Sequence, residues 1–230
     1  MRTIGLIGGM SWESTVTYYQ IINRIIKEQL GGFHSAKCIL YSVDFHEIEA
    51  CQTAGEWEKS GDILVEAAIG LEMAGADFIV ICTNTMHKVI TQIQNAIRIP
   101  ILHIADATAE VLIKNGIRKV ALLGTKYTME QDFYKARLVQ KGIEVLIPDA
   151  GSIDFINSSI FNELCLGIYS ETSKDEYLNI IKDLSDKGAE GIVLGCTEIG
   201  LLIKQEDTEI PLFDTTFIHA CKAALYSLEN

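Results

Sequence analysis

The sequence predicts an α/β fold made of two similar Rossmann-like domains with parallel sheets, related by a pseudo-twofold axis, with a ligand cleft between them. Three observations carry that prediction. Short, near-continuously apolar runs alternate with longer helical patterns, which is how strands buried on both faces read. Gly75-Ala76-Asp77-Phe78-Ile79-Val80-Ile81 matches Gly188-Ala189-Glu190-Gly191-Ile192-Val193-Leu194 without a gap, and Ile99-Pro100-Ile101-Leu102 pairs with Ile210-Pro211-Leu212-Phe213. No Gly/Ser- or Pro-rich linker separates the halves, so two close-packed units of roughly 100 residues each are the simplest account.

The elements follow in order. Ile4-Gly5-Leu6-Ile7-Gly8 reads as a buried strand, echoed later by Val120-Ala121-Leu122-Leu123-Gly124, with Tyr18 echoed by Tyr134. Ser11, with Glu13 in the first turn, caps a helix that ends near Gly31-Gly32. Cys38 to Asp44 is a second strand. Ile63, Leu64, Ala67, Ala68 and Leu71 recur at helical spacing up to Gly75. Phe78–Ile81 is a third strand, followed by a helix from Met86 to Ile97. Further strands are expected at Pro100–His103, Val120–Leu123, Ile143–Ile147, Gly191–Leu194 and Pro211–Phe213, with helices between and a last helix from about Thr215. The expected domains are residues 1–100 with 211–230, and residues 101–210.

Composition excludes several classes of function. Of the 230 residues, 48% are apolar and 22% charged, enough apolar surface to offset the entropy of ordering, which rules out disorder. Nineteen basic against 31 acidic residues give a formal net charge of −12, which repels phosphate backbones and argues against nucleic acid. No apolar run reaches membrane-spanning length, and the chain enters a strand pattern at once, leaving no room for a signal peptide; a cytoplasmic protein without membrane partners is expected. The six cysteines stand singly with no C-x-x-C pair, so neither structural zinc nor disulfides are expected, and each reads by default as a small buried hydrophobe.

In parallel α/β sheets ligands bind beyond the carboxyl ends of the strands. The first such end, Gly8-Gly9-Met10-Ser11, lacks the G-x-G-x-x-G spacing of dinucleotide sites, yet offers backbone N–H groups to a small anion. The matched strands end in Cys82-Thr83-Asn84-Thr85 and Gly195-Cys196-Thr197-Glu198. Aligning the two Cys-Thr pairs by eye needs a one-residue gap. The ungapped repeat instead sets Cys82 against Gly195 and Thr83 against Cys196. Strand side chains alternate faces, so Thr83 is the equivalent of Cys196, and Cys82 is turned behind the strand.

A hydroxyl and a thiol on opposite sides of a cleft suit proton transfer at a carbon held between them. Asn84, Thr85 and Thr197 could hold a carboxylate, whose developing enediolate charge preorganised donors would meet. A helix N-terminus would lower the pKa of Cys196 and supply thiolate. The plainer alternatives stay open: Thr83 as a helix N-cap, Cys196 as a packed core thiol.

At these residues the chain resembles the cofactor-independent aspartate/glutamate racemase family, and within it the broad-specificity amino-acid racemases. The resemblance rests on Gly8-Gly9-Met10-Ser11-Trp12-Glu13-Ser14, Thr83-Asn84-Thr85-Met86-His87, Leu102-His103-Ile104-Ala105-Asp106 and Gly195-Cys196-Thr197-Glu198-Ile199, in one order over nearly the full length. It implies two similar α/β domains with the active site at their interface, no pyridoxal phosphate, no metal and frequently a homodimer. It also implies two opposed proton carriers, usually both cysteines. Here Thr83 stands where the first cysteine belongs, in agreement with the repeat register. Since a threonine hydroxyl titrates far above the cysteine reference of ~8.5, it makes a poor base but can serve as a proton donor. A preference for one substrate enantiomer is therefore expected.

The resemblance also bears on the side-chain pocket. Aspartate-specific relatives place an Arg and a Lys about the distal carboxylate, where this chain has Gln52 and Cys165. Loss of both cations weakens the case for an acidic substrate without removing aspartate and glutamate, and Gln52 reads equally as a solvated helix residue. Met10 and Ser11 are expected to line the substrate. Glu198 is expected to tune the thiol or meet the substrate ammonium, with a helix first-turn role as the alternative. His87 lies one helical turn after Thr83 and either orients that motif or caps and packs; His103 belongs to the crossover between domains. His34 and His46 have no partners at ligand spacing. The alternatives to a racemase are a decarboxylase or cis–trans isomerase of a dicarboxylic acid, or a non-catalytic amino-acid-binding protein.

Overall fold

The computed structural model describes residues 1–229, which divide into two compact units: residues 1–104 with the chain from 219 onward, and residues 105–218. Each contains one four-stranded parallel sheet.

In the first unit the elements run β1 (Ile4–Gly8), α1 (Trp12–Leu30), β2 (Cys38–Ser42), α2 (Phe45–Ala54), α3 (Trp57–Met73), β3 (Phe78–Ile81), a 3-10 turn (Thr85–Val89), α4 (Ile90–Ala96) and β4 (Ile101–Leu102). The sheet order is β2-β1-β3-β4. Both faces are covered, as an all-apolar strand requires. Phe78, Val80 and Cys82 turn one way, into a cluster with Tyr18, Ile22 and Ile26 of α1. Ile79 and Ile81 turn the other, onto Leu64, Ala67, Ala68 and Leu71 of α3. Each such isoleucine or leucine, wholly buried, contributes about 1.5–3 kcal/mol.

The second unit opens with most of α5 (Ile104–Lys114), followed by β5 (Lys119–Gly124), α6 (Lys126–Glu130), α7 (Asp132–Gln140), β6 (Glu144–Leu146), α8 (Ala150–Asn162), a 3-10 turn (Leu164–Leu166) and α9 (Glu171–Asp186). β7 (Gly191–Gly195), α10 (Ile199–Leu202), a second 3-10 turn (Gln205–Asp207) and β8 (Leu212–Asp214) complete it, and α11 (Thr215–Leu228) begins in it and ends in the first unit. Its sheet order is β6-β5-β7-β8, the same sequence of positions as in the first sheet. Ala121, Leu123, Ile192, Leu194 and Cys196 share one face with residues of α8 and α9.

Local chemistry explains the element ends. Ser11 caps α1 by accepting from the Ser14 N–H, and Gly31 closes it at φ +71°. Gly9 sits at φ +91° with its Cα facing the backbone of Val43, where a side chain has neither room nor a relaxed conformation. β2 stops at Ser42, two residues short of the expected end, because the carboxylate of Asp44 accepts from the His46 N–H and starts α2. The sequence reading had not singled out α2.

The expected helix over 86–97 is divided. The Thr83 carbonyl, which the backbone N–H of residue 87 would take in an α-helix, is occupied by the His87 ring, and that N–H bonds Asn84 instead. The result is a 3-10 turn ahead of α4. The unit boundaries also differ from the expected 100/101 and 210/211. β4 pairs with β3 (Ile79 to Ile101) and β8 with β7 (Ile192 to Leu212), so each edge strand stays with its sheet and the chain changes unit only afterwards. Among the described residues no helix is long and apolar enough to cross a membrane.

Candidate functional site

In the first unit the candidates gather beyond the carboxyl ends of β1 and β3. Gly9 N–H donates to the Thr15 hydroxyl at 2.9 Å, and that hydroxyl donates to the Ser11 carbonyl at 2.7 Å, so the turn after β1 is folded onto the start of α1. Met10 is buried in the same apolar cluster as Met86. Ser11 is buried and spends its side chain on the helix cap.

After β3, the parity of the strand decides which side chain faces where. Cys82 continues the face of Phe78 and Val80; it is fully buried, its thiol directed at the Val80 carbonyl, and burial pushes its pKa far up. Thr83 follows on the opposite parity and is half-buried, while Asn84 and Thr85 are buried. The residue at the N-terminus of the following turn is Asn84, not Thr83, and no side chain caps that turn, so the N-cap alternative for Thr83 is set aside. His87 reaches back to the Thr83 carbonyl, 2.9 Å from its Nδ1, and accepts the Ile104 N–H at Nε2.

Gln52 is 5% exposed, which excludes a solvated helix position. Its amide N–H donates to the Met86 sulfur at 3.2 Å, joining α2 to the turn that carries Asn84 and Thr85.

In the second unit the candidates follow β7. The Cys196 thiol donates to Oε2 of Glu198 at 3.1 Å, and the Thr197 hydroxyl donates to the same oxygen at 2.6 Å. All three residues are buried. Glu198 stands at the N-cap position of α10 but makes no side-chain cap; its carboxylate turns back on the two residues before it. Cys165, in the 3-10 turn after α8, is half-buried and packs against the cluster that holds Cys196.

The electrostatics at Cys196 correct one expectation. A helix N-terminus was to lower the thiol's pKa, but α10 has only four residues, and burial first, then the negative charge of Glu198, raise it well above the ordinary value. Cys165 adds to the rise. The thiol therefore rests protonated, beside a carboxylate that can accept its proton.

The sequence reading missed His219. It is buried, bonded to Tyr18 and to the Leu102 carbonyl, and burial lowers its pKa to about 4. Its one sequence signal is a histidine set between Ile218 and Ala220 in α11, a helix that also carries Lys222. Among the described residues, no group of three or more His, Cys, Asp or Glu side chains could hold a metal ion.

The profile of the Asp/Glu/hydantoin racemase family matches residues 7–223. The chain belongs to that family. Racemases are isomerases. The broad-specificity amino-acid racemase RacX of Bacillus subtilis is 27% identical over 96% of this chain and 94% of its own length. A crystal structure from Yersinia pestis, itself assigned only provisionally as an Asp/Glu racemase, is 57% identical, with a TM-score of 0.92 and full coverage of both chains. An aspartate racemase homologue from Pyrococcus horikoshii is 40% identical with a TM-score of 0.85, again over the whole of both chains.

A racemase must give and take protons at carbon. The Thr83 hydroxyl, the Cys196 thiol and the Glu198 carboxylate are among the described groups that can give or take a proton. Asn84 and Thr85 have side chains that can donate hydrogen bonds to a carboxylate, the Thr197 hydroxyl already donates to that of Glu198, and Gln52 and Cys165 bring no positive charge.

Proposed function

We propose that this chain is a cofactor-independent amino-acid racemase in which Cys196 and Thr83 serve opposite faces of Cα. The observation that carries the proposal is the buried thiol of Cys196 hydrogen-bonded to the Glu198 carboxylate at 3.1 Å. A protonated thiol beside a proton acceptor is a latent base. On substrate binding Glu198 takes the thiol proton, and the thiolate removes the α-proton. Asn84 and Thr85, joined by Thr197 once its hydroxyl turns from the newly protonated Glu198, hold the substrate carboxylate as charge develops on it, with the backbone of Met10 and Ser11 beside it. Thr83 then delivers its hydroxyl proton to the other face. The proton gained by Glu198 returns through solvent to the threonine oxygen, which closes the balance. General acid–base groups placed this way contribute roughly 10²–10⁴-fold, and fixed orientation several kcal/mol more.

Repeat register supports the pairing. Thr83 and Cys196 occupy equivalent places in the two repeats, and each follows its strand on the parity of the matched residues Ile81 and Leu194. Gln52 and Cys165, lacking the charge to pair a distal carboxylate, support a broad-specificity enzyme that accepts neutral or polar side chains alongside aspartate and glutamate. The resemblance extends the proposal to a homodimer, and the proposal includes a cytoplasmic location.

The test is a panel of L- and D-amino acids in D₂O, with loss of the Cα–H signal followed by NMR and inversion by chiral chromatography. Exchange with inversion is expected in the wild type and neither in Cys196→Ala. Loss of CO₂ would instead indicate a decarboxylase, and binding without exchange a receptor.

A further inference from the structure

The geometry points to His87 as a positioning residue for Thr83, acting through the Thr83 backbone carbonyl; this rests on the two-residue reading above. The hydrogen bonds fix its proton without further assumption. The Ile104 amide can only donate, so Nε2, 3.3 Å away, must accept. A neutral imidazole accepting at Nε2 carries its proton on Nδ1, which then donates to the Thr83 carbonyl at 2.9 Å. A protonated ring would set N–H against N–H at Ile104, so the arrangement holds only for the neutral Nδ1–H form.

The anchor on the other side of the ring is itself held. His219 faces the Leu102 carbonyl with Nε2 at 2.9 Å, and since a carbonyl can only accept, that nitrogen carries the proton. Its Nδ1 accepts from the Tyr18 hydroxyl, also at 2.9 Å. Burial holds the ring neutral down to about pH 4. Residues 102–104 are thus fixed at the Leu102 carbonyl by one histidine and at the Ile104 amide by the other. The His103 ring lies 4.5 Å from that of His87 and leaves it little room to tilt.

The consequence falls on Thr83. Its carbonyl is withdrawn from the helical ladder, which opens the 3-10 turn, and is tied instead to a ring braced against the end of β4. Fixing the carbonyl fixes the peptide plane, and with it the direction in which the threonine side chain leaves the backbone. A weak proton donor such as a hydroxyl works only where it is held, so the restraint matters more here than for a thiol at the same place.

The experiment separates the two faces of Cα. Exchange without inversion needs Cys196 and Glu198 but not Thr83, because the thiol can lose its acquired proton to D₂O and return deuterium to the same face. Inversion needs Thr83 as well. His87→Asn keeps an N–H donor close to the Nδ1 position; His87→Gln keeps an acceptor near Nε2 and gives up the donor; His87→Ala removes both. In His87→Gln and His87→Ala the inversion-to-exchange ratio is expected to fall at least ~10-fold, since small misplacements can cost ~10²-fold. His87→Asn is expected to restore the ratio to within about threefold of wild type. Equal losses of exchange and inversion in His87→Gln, or a His87→Asn ratio as low as that of His87→Ala, would overturn the positioning role. A wild type that exchanges no amino acid would instead remove the racemase reading beneath it.

Discussion

Oε2 of Glu198 accepts two hydrogen bonds at once, from the Cys196 thiol at 3.1 Å and from the Thr197 hydroxyl at 2.6 Å. Burial and then the charge of that carboxylate hold the Cys196 pKa well above its ordinary value, so the thiol keeps its proton until something displaces the balance.

Glu198→Gln preserves shape and hydrogen bonding but cannot take a proton. Two readouts should therefore move in opposite directions. Cα exchange should fall by about 10²-fold or more, while alkylation of Cys196 by iodoacetamide should speed up, because a neutral neighbour no longer opposes the thiolate. Parallel changes in both rates would contradict the proton-accepting role.

Cys82 and Thr83, though adjacent, should behave as opposites. Cys82→Ala removes a sulfur from the core at a cost of about 1 kcal/mol in denaturant unfolding, and should leave exchange within about twofold of wild type. Thr83→Ala should retain exchange and lose inversion; Thr83→Cys should recover inversion or exceed wild type. An inactive Cys82→Ala beside a fully inverting Thr83→Ala would reverse the register argument.

Two thiols with raised pKa values give stability a basic limit. The folded state holds the protons of Cys82 and Cys196 at a pH where the unfolded chain releases them. Stability is therefore full below the unfolded thiol pKa of ~8.5 and declines above it, by up to ~1.4 kcal/mol per pH unit for each thiol. Unfolding in urea between pH 8 and 10 should show the decline, and Cys82→Ala should make it shallower; an unchanged slope in that variant would count against the burial of its thiol.

His219 sets the acidic limit. Its pKa is lowered from 6.5 to about 4, so the folded state refuses a proton that the unfolded state binds. The stabilisation is present above pH 6.5 and is lost as the pH falls towards 4, an effect of a few kcal/mol. Urea titrations of wild type and His219→Gln should diverge at pH 7 and converge by pH 4. Parallel curves over that range would mean that His219 titrates normally.

The fold was legible where periodicity is local and repeated. The match of 75–81 with 188–194 fixed the strand parity, and the burial of Cys82 followed from counting alone. What escaped depends on partners remote in the chain. The end of β2 turns on a single Asp44 hydrogen bond, and the 3-10 turn on a ring reaching back to Thr83. Gln52 could not be read as buried, because its partner is the sulfur of Met86, 34 residues away. The resting proton on Cys196 was misjudged for the same reason: the helix behind it is visible in sequence, but the depth of burial that outweighs it is not.

The first unit is discontinuous in sequence, completed by residues from 219 onward, with Ala220, Ala223 and Ala224 in its core and His219 against Tyr18. During synthesis, then, its earliest strands leave the ribosome with part of their hydrophobic covering still untranslated. The uninterrupted segment 105–218 can settle first, and the amino-terminal half waits for the final helix before it closes.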